Sequence, residues 1–169
     1  MSDTTDDEQL KPSVRVLQII VIALAAGVSA FTIVALNSSG SKTEPNAISN
    51  LTMIGGVVAI IAVVMHVVIP QILIRGRIRH LIKADTVTDM HTELLGSKQV
   101  ATIIACALLE GSAFINVSVY MTQRNMISIW ISLGLTAMIL TYFPTVNRLS
   151  NWLERKTREI EDQRQFTAQ

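Results

Sequence analysis

One cysteine in 169 residues, Cys106, excludes an internal disulfide and any CxxC-type zinc or redox site. Lying within an apolar stretch, it reads as a small helix-packing residue. Charge is scarce too. Only 16% of the residues are Asp, Glu, Lys or Arg against 50% apolar, which leaves too little polar surface for a soluble domain of this length. Aromatic residues make up 5%, and none is interleaved with a basic stripe, so nucleic-acid binding is not expected. The chain has no HExxH, no P-loop, no GxGxxG after a strand, and no Cys-His or Ser-His arrangement at a shared depth. It is read as a non-enzyme with no cofactor. The donors Asp85, Asp89, His91 and Glu93, with His80 nearby, match no metal-site spacing and read as a solvated loop.

What the sequence does have is long apolar runs, at Val14 to Leu36, Leu51 to Ile74, Val100 to Tyr120 and Met126 to Phe143, with no Arg or Lys inside them except Arg15 at the very start of the first. A helix rises about 1.5 Å per residue and a bilayer's hydrocarbon core is about 30 Å thick, so each run can span, the fourth only just. The runs are continuously apolar rather than alternating, and backbone groups in lipid must be satisfied within their own segment; helices are therefore expected, not a barrel. The expected fold is an all-α integral membrane protein. It has a disordered acidic tail (1–13), four transmembrane helices in an antiparallel bundle (14–143) and an amphipathic cytoplasmic tail helix (144–169).

Orientation follows from the basic residues. Twelve of the fourteen Lys and Arg fall in the amino tail, the second loop or the carboxyl tail, and only Lys42 and Arg124 in the other two loops. Both termini and the middle loop are therefore placed in the cytoplasm, with a bacterial inner membrane as the default. A cleaved signal peptide is disfavoured, because Asp3, Asp6, Asp7 and Glu8 precede the first run where a signal needs positive charge.

In the middle loop Ile74, Ile78, Leu81 and Ile82 share a helical face beside basic residues, so Arg75, Arg77 and Arg79 are expected to meet anionic lipid headgroups. In the tail Val146, Leu149, Trp152, Leu153 and Ile160 recur at helical spacing. Trp152 and Leu153 mark a face for the membrane surface or a partner. Pro144 marks where the fourth span ends or kinks. Residues 16–27 laid over 100–111 align Val16, Ile19, Ile20, Ala23, Leu24 and Gly27 with Val100, Ile103, Ile104, Ala107, Leu108 and Gly111, which suggests two repeated hairpins.

That overlay puts Ala26 where Glu110 stands. An ionised acid at the centre of a spanning helix costs on the order of 2.5–3.5 kcal/mol on insertion scales, so Glu110 is expected to face protein. His66 is its partner by depth, lying nine residues in from Arg75 while Glu110 lies twelve in from Lys98. Glu110 and His66, with Gln18 and Asn116 as polar lining, form the candidate proton- or cation-binding set. The simpler reading is that these side chains hydrogen-bond helices together.

Residues 97–119, SKQVATIIACALLEGSAFINVSV, resemble the carboxylate-bearing helix of the proteolipid subunit c of rotary ATP synthases, in the polar loop, the Ile-Ile and Ala-Leu-Leu approach, Glu110-Gly111 and Ala113-Phe114. The resemblance covers one span and implies that Glu110 carries a transported proton. That family's first helix has glycine at every second position, whereas the span before this loop has Gly55 and Gly56. The whole chain more loosely resembles small four-span membrane proteins of planctomycete bacteria, which implies no mechanism.

Two functions follow as expectations. One is an accessory or scaffold subunit that binds a larger membrane assembly or its own copies. The alternative is a proton- or cation-coupled carrier built on Glu110.

Overall fold

The computed structural model describes residues 3–38, 50–83 and 90–167, and every element among them is a helix. They are α1 (Asp3–Asn37), α2 (Asn50–Lys83), α3 (Met90–Gln123), α4 (Met126–Thr141) and α5 (Val146–Thr167). The first three are long and apolar enough to cross a membrane over Lys11–Asn37, Asn50–His80 and Thr92–Gln123. A fourth crossing is reached only if α4 and α5, bent by 68° at a short break, count as one span.

The helices outrun the apolar runs that nucleate them. α1 starts at Asp3, so most of the stretch expected to be disordered is helical. Pro12 and Pro70 lie inside α1 and α2, and each withholds one backbone donor without ending its helix. α4 stops earlier than expected. Asn125 caps its start, Oδ1 accepting from the Ile127 amide at 3.0 Å, and Pro144 prevents continuation past the Tyr142 cap. Its 16 residues make a rod of about 24 Å, short of the hydrocarbon thickness.

α3 is the centre, packed by α2 on one flank and by α1 and α4 on the others. α2 buries Thr52, Gly55, Ala59, Ala62 and His66, small residues apart from the histidine, at alternating spacings of three and four, with Thr52 and Gly55 meeting α3 and His66 meeting Tyr142 at the end of α4. Small residues let two backbones approach closely where there is no water to drive association. The midsection core joins Val21, Ala25 and Val28 of α1 to Leu109 and Ala113 of α3 and Leu135 and Ile139 of α4.

One end of the molecule gathers Val14, Ile78 and Leu94 with Leu149, Leu153 and Ile160 of α5. The opposite end gathers Ala35, Val117, Tyr120 and Ile129, and there the Thr52 hydroxyl donates to Gln123 Oε1 at 2.7 Å. Successive helices from α1 to α4 therefore alternate in direction. Many other large apolar side chains face outward, with Ile19 66%, Ile60 66% and Ile72 63% exposed. Such faces, repeated along α1 and α2, suit contact with lipid rather than water.

α5 folds back on this assembly. Leu153, expected to face the membrane surface or a partner, is 3% exposed and packs inside the cluster with Val14, Ile78 and Leu94. The tail's apolar stripe is spent on its own protein, because Pro144 breaks the chain where α5 can turn across the ends of α1, α2 and α3. Asp85 and Asp89, and the side chains of Leu81, Ile82 and His91, lie outside the described residues.

Candidate functional site

The candidate proton-binding residues are dispersed. Glu110 lies on the α1 flank of α3, where a Cβ on Gly27 would stand 3.7 Å from its Oε1. It is half-buried and makes no hydrogen bond or ion pair among the described residues. Asn116 is on the other flank of the same helix, fully buried, donating from Nδ2 to the Gly55 carbonyl of α2 at 3.1 Å and to the Ser112 carbonyl at 2.9 Å. Gln18 is at the elbow between α4 and α5, where its Nε2 donates to the Pro144 carbonyl at 2.9 Å.

His66 is buried on α2, its Nδ1 directed to the Val63 carbonyl and its ring edge-on to Tyr142 of α4, centroids 5.9 Å apart. Glu110 and His66, matched by depth in the sequence, are not joined. Depth along a helix axis says nothing of azimuth: α2 packs on the Asn116 flank of α3 and Glu110 turns to α1. Small exposed residues lie within one helical turn of this approach, Ala23 and Ala30 on either side of Gly27 in α1 and Ala107 and Gly111 beside Glu110 in α3.

The basic residues are likewise sorted by azimuth. Arg77 Nη2 pairs with Glu93 Oε2 at 2.5 Å. Arg75 and Arg79, one helical turn apart, instead line a cavity of about 600 Å³ with His66, Tyr142, Trp152 and Lys156. A second cavity of about 390 Å³ lies on the other side of Tyr142 and Trp152 and is lined by Arg148 and Arg155. Lys98 lines both, its Nζ 5.2 Å over the Trp152 ring. Lys98, Tyr142, Arg148 and Lys156 were not singled out in the sequence. A helical-wheel reading separates Arg75 and Arg79 from Arg77, but nothing in the sequence brings α5 over α3.

Fold and site together define a helical protein with three to four helices able to cross a membrane. No protein-family model, curated protein or solved structure matches this chain.

Proposed function

We propose that the chain is a non-catalytic, four-span membrane module, an antiparallel bundle with both termini cytoplasmic, that serves as an accessory or scaffold subunit beside a neighbouring spanning helix. One observation carries this reading. Glu110 has no partner of its own among the described residues, although it lies thirteen residues, about 20 Å, from the end of α3 at Gln123. A lone carboxyl at that depth is costly in lipid. The small residues flanking it allow another helix to lie close and supply the missing hydrogen bond.

The orientation rests on the basic residues collected at the α5 end, with Arg124 at the opposite end. Trp130, 72% exposed in the first turns of α4, suits the interfacial belt at that opposite end. The carrier reading uses the same acid, but His66, Gln18 and Asn116 are each held by other contacts, so no observation favours it.

Photo-cross-linking at position 107 in native membranes, read by mass spectrometry, tests the proposal. The expected product joins the chain to a second copy or to one defined membrane protein, and Glu110→Leu removes it. Cross-links to lipid alone, or a protein product indifferent to Glu110→Leu, would overturn it.

A further inference from the structure

We propose that the cleft between α2, α3 and the α4–α5 elbow is a binding site for a phosphate-bearing anion, seated on Lys98. Six Lys or Arg side chains and a single acid, Glu159, line its two lobes. Glu159 is taken by Lys156, three residues before it on α5. Arg75, Arg79, Arg148 and Lys98 have no acidic partner among the described residues.

Lys98 is half-buried beneath α5, so folding strips part of its water, and it shares the cleft with five other cationic side chains. The Trp152 ring face offsets some of that cost, but a ring carries no net charge. An anion offsets the rest. Phosphate suits the donors: two guanidinium forks from Arg75 and Arg79 on one helical face, and an ammonium from the opposite wall.

The shape extends the identification. Thirteen residues separate Arg79 at one end of the larger lobe from His66 at the other, about 20 Å along a helix. Between them Val67, Pro70, Ile74 and Ile78 provide an apolar wall. A basic mouth leading to an apolar trough accommodates an anionic phospholipid, headgroup at Lys98 and chain toward His66. A soluble phosphate would occupy the mouth alone. The site differs from a diffuse basic surface in excluding Arg77, which faces away toward Glu93.

The test uses the full chain with Trp130→Phe, so that Trp152 is the one remaining tryptophan of two. Its fluorescence is titrated in detergent with phosphatidylglycerol, with phosphatidylcholine and with inorganic phosphate. A saturable change with phosphatidylglycerol alone is expected. Lys98→Gln should raise the half-saturating concentration about tenfold or more, and Arg77→Gln should change it by less than about twofold. Saturation by inorganic phosphate with the same dependence on Lys98 would support the anion site and identify its source as soluble. Lys98→Arg should keep binding, which separates lost affinity from lost fold, and Arg75→Gln carries the same expectation as Lys98→Gln. Equal weakening by Lys98→Gln and Arg77→Gln, or no saturation with any probe, would overturn the proposal.

Discussion

Asn116 of α3 reaches across to α2 and donates from Nδ2 to the Gly55 carbonyl at 3.1 Å, while its Oδ1 lies 2.9 Å from where a Cβ on Gly55 would stand. The bond and the close approach depend on each other, since Asn116 reaches the backbone only because residue 55 has no side chain. Gly55→Ala should therefore lower the unfolding midpoint in detergent by an amount equivalent to about 1–3 kcal/mol. Adding Asn116→Ala should return part of the loss, because the two changes share one contact. Additive losses would mean that the helices are held apart by something else.

Gly27 supplies the contrast. A Cβ there meets Glu110 Oε1 at 3.7 Å and Phe114 Cζ at 3.9 Å, ordinary van der Waals distances. Alanine is the better helix former by about 1 kcal/mol, so Gly27→Ala should leave the midpoint unchanged or raise it. The same unfolding assay decides, and a loss comparable to that of Gly55→Ala would show that the α1–α3 groove is tighter than described.

Arg124 should act as a clamp on the end of α1. It holds a positive φ of 55° after α3, and its guanidinium donates to the carbonyls of Ala35 at 3.3 Å and Ser38 at 2.5 Å while lying 5.5 Å over the Tyr120 ring. Those carbonyls belong to the last turn of α1 and the residue beyond it, where helix acceptors lack partners. Arg124→Gln should speed amide exchange over residues 34–38, corresponding to about 1–3 kcal/mol of local stability, and leave α2 protected.

Leu153 anchors α5. It packs with Val14, Ile78 and Leu94, so truncation to alanine should weaken docking of the tail by about 2–5 kcal/mol. Limited trypsin cleavage at Arg155 and Arg158 should then accelerate, while exposed Glu154→Ala should leave the digestion pattern as it is. An unchanged pattern in Leu153→Ala would mean that α5 is held by its polar contacts instead.

Much of the architecture is legible in the chain. Continuous apolar runs, interrupted by a basic residue only at Arg15 beside the start of the first, read as helices in a protein this poor in charge, and Pro144 marks where the fourth must end. The tail's amphipathic character is equally plain from Leu149, Leu153 and Ile160. The destination of that stripe is not, because the same pattern fits a membrane surface, a partner or the protein's own helix ends.

The candidate site shows the same division. From sequence, Glu110 stands out as an acid among apolar neighbours, and His66 as a histidine at nearly its depth. Both inferences use position along a helix, which a fixed rise per residue converts to distance. Which flank of α3 each helix takes depends on where small residues let backbones meet: Gly55 and Ala59 draw α2 to the Asn116 side, and Gly27 leaves Glu110 beside α1. The sequence by itself determined helix number, apolar length and the segregation of charge, because these are one-dimensional properties of the chain. Only the tertiary structure decided that Glu110 and His66 stay apart and that Lys98 lies beneath Trp152, because azimuth and the fold-back of α5 are settled by packing between segments distant in sequence.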